Sequence, residues 1–208
     1  AENSPAKRVG GEALSQFEKV IHPVPLMSLQ DVFSLEELNE FLEKIIAAEG
    51  SIDFSIEPKI DGLSVALEYV DGVLIRGATR GDGVVGEDVT EQAKMIQNIP
   101  ITIPYKGYLE LRGECVVSWD NFRKINEGLE EPYSHPRNLA AGSLRNLDTN
   151  ITKQRNLSYI VFECVSDLYD EDTNNNEWDS KWEKLSYLNY LGFETVDRMA
   201  DNSQSDDT

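Results

Sequence analysis

Lys59 stands in the run Glu57-Pro58-Lys59-Ile60-Asp61-Gly62, with an acid two residues on and a glycine directly after it. A lysine amine attacks an electrophile such as phosphorus only when it is neutral. With an ordinary pKa of about 10.4, on the order of one amine in a few thousand is neutral at pH 7. A nucleophilic Lys59 therefore calls for cations close by, either arginines or a divalent metal, to favour the uncharged form. Gly62 would let the backbone pass close to a ligand. Taken alone, the same residues read equally well as an exposed lysine at a strand end, followed by an Asp-Gly turn.

Three further segments carry groups suited to a phosphorylated ligand. Thr79-Arg80-Gly81-Asp82-Gly83-Val84-Val85-Gly86-Glu87 is a glycine-rich stretch with one arginine. Such a loop suits phosphate or ribose binding, or is simply a flexible surface loop. Glu114 ends the run Leu109-Glu110-Leu111-Arg112-Gly113-Glu114, and a strand glutamate facing a pocket suits a ribose hydroxyl or a metal. Facing solvent, it would do neither. In His135-Pro136-Arg137 through Leu144-Arg145-Asn146-Leu147-Asp148 two arginines lie eight residues apart, just over two helical turns, so a continuous helix sets both on one face.

The elements that must position these groups are legible in outline. The spacing of Leu35, Leu38, Phe41, Leu42 and Ile45 predicts a helix over 35–48. Ser34 is its N-cap, Glu37 completes a capping box, Phe33 and Leu38 occupy the staple positions, and Gly50 is the stop. A strand is expected over 54–58. Residues 63–70 and 73–78 predict a hairpin turned by Asp71-Gly72. A short helix is expected over 88–96, a strand over 108–117, a helix over 119–127 capped by Ser118, a helix over 137–147, and a strand over 157–165. Residues 167–179 read as an acidic surface loop, and 180–191 as an amphipathic helix stopped at Gly192. Residues 1–20 read as an extended lead-in, and the tail from 200 as disordered. Hairpin-joined strands interspersed with helices indicate an α+β fold with mainly antiparallel sheets.

Composition narrows the classes further. Of 208 residues, 38 are acidic and 19 basic, a net charge of −19. A surface gripping nucleic acid throughout would be basic, so the composition reads as a protein that binds no nucleic acid alone, with room left for a local basic strip among Arg76, Arg80, Arg112, Arg137 and Arg145. No apolar run approaches the ~18 residues of a membrane span, and no signal sequence is visible. Cys115 and Cys164 sit singly in apolar, strand-like runs, which predicts buried thiols, no zinc site and a cytoplasmic setting.

The order and wording of these segments resemble the NAD-dependent bacterial DNA ligases. The likeness runs from Ser4-Pro5-Ala6-Lys7-Arg8-Val9-Gly10-Gly11, through Val24-Pro25-Leu26-Met27-Ser28-Leu29, to about Arg198. It implies a partial adenylation (nucleotidyltransferase) domain over 1–198, of the fold shared with capping enzymes and incomplete at the C-terminus, with an acidic tail over 199–208. It implies that Lys59 attacks the α-phosphate of NAD, releases nicotinamide mononucleotide and carries AMP for the 5′-phosphate of a DNA nick. Ser28 and Leu29 would contact adenosine, Glu57 would read the adenine edge, and Arg80 and Glu114 would engage the ribose. Phe162 stands where the family usually has an adenine-stacking tyrosine. Arg137 and Arg145 would meet phosphates and the DNA strand. Asp61 would lie near the metal or the reacting 3′-hydroxyl. Mg²⁺ (or Mn²⁺) is implied as cofactor, with Glu114 a possible contact.

The resemblance also implies two downstream lysine motifs, a small N-terminal domain and DNA-encircling domains, none of which occurs in this chain. It follows as an expectation that this piece does not seal nicks alone. Two other readings compete. One is a non-catalytic adenine-nucleotide-binding remnant. The other is an ATP-dependent ligase or capping-type transferase, which residues 79–90 and 135–148 disfavour by their wording.

Overall fold

In the computed structural model, residues 17–50, 52, 54–168, 178 and 180–196 are described. The expected tail, most of the 167–179 loop and the first sixteen residues of the lead-in lie outside them. A four-stranded antiparallel sheet forms the frame, in the order β3-β2-β5-β6. Its strands are β2 (Leu63–Val70), β3 (Val73–Thr79), β5 (Tyr108–Val116) and β6 (Ser158–Cys164). The β2–β3 hairpin closes on Asp71 and Gly72, at φ 48° and 77°. Positive φ at both central residues is the turn whose twist matches paired strands, and Asp-Gly supplies it at low cost.

Alternation along the strands sends two sets of side chains to opposite faces. Val65, Leu67, Tyr69, Leu109, Leu111, Tyr159 and Val161 are buried in the core. Helices cover that face: α2 (Thr90–Ala93), α4 (Pro136–Leu144), α5 (Thr149–Arg155) and α6 (Lys181–Tyr190), joined by α3 (Trp119–Glu127). The opposite face carries Ser64, Glu68, Glu110, Arg112 and Glu114, and this polar face belongs to the candidate site.

Where helix ends were signalled by capping residues, the elements match expectation. Ser118 caps α3 by accepting from the Asn121 amide. Ser180 begins α6 with a full capping box, its hydroxyl taking the Glu183 amide and the Glu183 carboxylate taking its own. Ser180→Ala should cost about 1 kcal/mol, or roughly 2–4 °C in thermal midpoint for a domain of this size. A melt unchanged to within half a degree would show that the box contributes nothing.

Several expectations are corrected. Residues 54–58 form no strand, since nothing among the described residues pairs with them. The predicted 88–96 helix is only Thr90–Ala93. The predicted 137–147 helix ends at Leu144. Arg145 is its C-cap, at φ −90° and ψ 17°, with its amide still donating to the Ala141 carbonyl, so Arg137 and Arg145 stand near the two ends of one helix. Asp148 then caps α5, a separate helix the sequence reading did not separate out. The lead-in contains β1 (Lys19–Ile21), paired antiparallel with β4 (Val85–Glu87) inside the glycine-rich stretch. At the first helix, α1 (Leu35–Glu49), Ser34 accepts from Glu37 as expected, but the Glu37 carboxylate reaches the Phe33 amide instead of completing the box. No α1 side chain is buried, and Phe33 and Leu38 both remain exposed.

Candidate functional site

The glycine-rich stretch is held open by its own backbone. Asp82 accepts from the amides of Val84 and Val85 (2.9 and 2.7 Å), folding the loop back toward β4. Gly86 lies so close to β3 that a Cβ there would sit 1.8 Å from the Thr79 carbonyl oxygen. His22, buried at 4% exposure, places Nε2 3.1 Å from that same oxygen and 3.3 Å from the Arg80 carbonyl. The loop therefore stands at fixed height over the sheet edge and walls a cavity of about 570 Å³.

Four basic side chains line that cavity, Lys19, Arg80, Arg137 and Arg145, against two acidic ones, Asp82 and Glu87. In a chain of net charge −19 this is a local reversal of sign, the kind of cleft that concentrates anions. The basic strip thus resolves into two groups. Arg80, Arg137 and Arg145 gather here with Lys19. Arg76 and Arg112 are taken up by carboxylates: Arg76 makes a two-pronged pair with Glu68 at 2.7 Å for each bond, and Arg112 lies between Glu110 and Glu163.

Lys19 and Glu87 are register partners across the β1–β4 ladder. Glu87 accepts from Lys19 at 3.2 Å and from Arg145 at 2.8 and 3.3 Å. The Arg145 hydrogen bonds, with help from Lys19, hold the Glu87 carboxyl below its ordinary range against the opposing effect of burial. A depressed carboxyl contributes stability that is present above its unfolded value and lost as pH falls through the folded one. Glu87→Gln should therefore lower stability by about 1–2 kcal/mol at neutral pH. The difference from the parent should close in melts below about pH 4. An equal loss at neutral and acid pH would rule out the charge pair as its cause.

The other predicted residues arrange around this cavity in two tiers. Arg80 reaches back to residues 26–28, with Nε 3.3 Å from the Leu26 carbonyl and Nη2 2.5 Å from Ser28 Oγ. Arg137 pairs with Asp61 at 3.2 Å, which ties the Lys59 loop to the cavity wall. Glu114 accepts from the Ser64 hydroxyl, and Ser64 itself lines the cavity. Burial pushes the Glu114 carboxyl up, with the Ser64 bond opposing. Its Oε2 is buried and without a hydrogen-bond partner.

Lys59, Glu57, Leu29 and Phe162 do not line the cavity. Lys59 is largely exposed, and its Nζ lies 3.0 Å from Asp31 Oδ1. Glu57 pairs with Lys181 at 2.5 Å. Leu29 is exposed, and Phe162 is half-buried beside the core at the register shift between β5 and β6. Gly62 has a reason other than ligand approach: a Cβ there would lie 2.2 Å from the Cys115 carbonyl oxygen of β5. Sequence reasoning gave no role to Asp31, Ser64, Lys19, Glu87 or His22, whose partners lie 28 to 68 residues away. Both cysteines are buried and unpaired as expected, with burial pushing Cys164 up to about 12. No group of three metal-ligating side chains occurs among the described residues.

Residues 14–208 match the family described as the NAD-dependent DNA ligase adenylation domain. The chain belongs to that family. It is 46% identical over 198 residues to a DNA ligase of Lactobacillus johnsonii, covering 93% of this chain and 29% of the relative. It is 48% identical over 200 residues to a DNA ligase of Caldicellulosiruptor saccharolyticus, covering 92% and 28%. For a Clostridioides difficile DNA ligase the identity is 43% over 196 residues, covering 92% and 28%. The chain thus spans less than a third of the length of these relatives. The α+β architecture with antiparallel sheets is the one expected of an adenylation domain, and no helix of the described residues is long and apolar enough to cross a membrane.

Proposed function

We propose that this adenylation domain takes AMP from NAD onto Lys59. The neutral amine attacks the α-phosphorus, a phosphorus–nitrogen bond forms, and the bond to nicotinamide mononucleotide breaks with its electron pair leaving on the departing phosphate. The amine proton goes to solvent. The observation that carries this reading is the Arg137–Asp61 pair, which couples the Lys59 loop to a cavity of four cationic side chains beside Glu114. Fixed cations aimed at a phosphate stabilise the charge that develops during transfer.

In this reading Arg80, Arg137 and Arg145 engage phosphate groups and ribose, and Glu114 offers its free Oε2 to a ribose hydroxyl. Ser28, Leu29, Glu57 and Phe162 frame adenine and adenosine from the outer tier. A divalent cation such as Mg²⁺ supplies further charge stabilisation when bound. Mg²⁺ is commonly held by one or two carboxylates plus substrate phosphates, and Glu114, whose Oε2 has no hydrogen-bond partner, would be the carboxylate to hold it where that oxygen does not take the ribose hydroxyl. The AMP is then passed to the 5′-phosphate of a nicked duplex in the longer ligase.

Incubation with NAD and Mg²⁺ should release nicotinamide mononucleotide in a single burst equal to the protein present. Incubation with ATP should release no pyrophosphate. Release from ATP alone would instead place the chain with ATP-dependent transferases.

A further inference from the structure

Residues 22–29 cross the polar face of the sheet with few means of attachment. Pro23 and Pro25 carry no amide hydrogen, so this arm cannot pair with the sheet as a regular strand. It offers mainly carbonyl oxygens, and something must donate to them. On the loop side the contacts are plain: the Leu26 amide donates to the Gly83 carbonyl at 2.8 Å, and Arg80 donates to the Leu26 carbonyl. On the sheet side the described donor is Arg112. Its Nη2 lies 2.9 Å from the Val24 carbonyl oxygen, two residues before the carbonyl taken by Arg80.

Arg112 is an unusual residue to find there. It is 7% exposed, in the middle of β5. Burying a guanidinium is costly unless its charge and donors are matched. Glu110 Oε1 lies 3.8 Å from Nη2, and Glu163 Oε2 lies 3.2 Å from Nη1. Glu163 adjoins Phe162 on β6. One side chain therefore joins the arm that ends in Ser28 and Leu29 to the strand that carries Phe162. Its row neighbour on β2 is Ala66, which in turn pairs with Ala78 on β3. Small side chains in that row leave room for the arm to lie down.

We propose that Arg112 is a positioning residue that clamps the 22–29 arm onto the sheet, setting the distance between Ser28 and Leu29 on one side and Phe162 on the other. With Arg80 it forms a pair of arginines that read alternate carbonyls of a proline-interrupted segment. The consequence for ligand binding rests on the adenosine reading given above. The clamp itself does not.

Two variants test it. Arg112→Lys keeps a cation beside Glu110 but loses the fork that reaches Val24 and Glu163 together. The double variant Arg112→Met with Glu110→Gln removes the buried charge pair as a unit, leaving only the solvent-exposed Glu163 carboxylate without its arginine. Amide hydrogen exchange followed by mass spectrometry reports on the arm and on the sheet separately. Binding of AMP by calorimetry reports on the site. In both variants the arm should exchange at least tenfold faster while β2, β5 and β6 keep parental protection. AMP affinity should fall roughly tenfold. Parental exchange in the arm would overturn the clamp, and so would loss of protection throughout the sheet in both variants, since Arg112 would then serve the fold as a whole. If the parent chain binds no AMP, the adenosine reading fails while the arm's exchange still decides the clamp.

Discussion

Gly62→Ala should lower stability by about 3 kcal/mol, the upper end of the usual cost of forcing extra volume into a packed site. For a chain of this size that is roughly 6–12 °C in thermal midpoint. A Cβ on residue 62 would meet the Cys115 carbonyl oxygen at 2.2 Å and Val116 Cγ1 at 2.9 Å. Backbone of a central strand cannot give way as a flexible side-chain end can. The chain must therefore move at the start of β2, which carries Lys59 and Asp61 just before it. Gly128→Ala is the control: its nearest neighbour would be the Ile125 carbonyl oxygen at 3.7 Å, an ordinary contact, and its midpoint should barely change. Equal midpoints for the two variants would contradict the steric account.

Lys59→Ala should have the opposite profile, with total loss of AMP transfer and almost no effect on folding. The side chain is 67% exposed, and its one described partner, Asp31, is 60% exposed. Exposed pairs of this kind are worth about 0–1 kcal/mol, so the melt should shift by no more than a few degrees. No other group replaces the bond-forming nitrogen. Retained transfer would assign the nucleophile elsewhere, and a collapsed melt would make Lys59 a structural residue.

What the sequence made legible depended on how local the signal was. The hairpin at Asp71-Gly72, the Ser118 cap and the helix begun by Ser180 rest on residues a few positions apart, and all three appear as expected. The helix expected over 137–147 is present over 136–144, and its last turn was misjudged because periodicity did not show Asp148 acting as the N-cap of a new helix, α5. The cavity has Arg137 and Arg145 on its wall, facing the glycine-rich stretch over which β1 and β4 pair. Lys19, Glu87 and His22 were illegible for that reason, since only the ladder sets them beside Arg145 and Thr79. Nothing local to residues 54–58 says whether a partner strand exists, and none pairs with them among the described residues. Gly62 was legible as a required glycine, but its cause lies in a strand some fifty residues on. The candidate site residues were expected from family likeness. Their separation into a cavity group and an outer tier is set by the tertiary fold.

The most direct test is the intact mass of the folded chain after incubation with NAD and Mg²⁺, followed by peptide mapping. The account predicts a gain of one AMP on the peptide that contains Lys59, with NAD and not with ATP. No gain in a sample shown to be folded, or an adduct on any other residue, would contradict it.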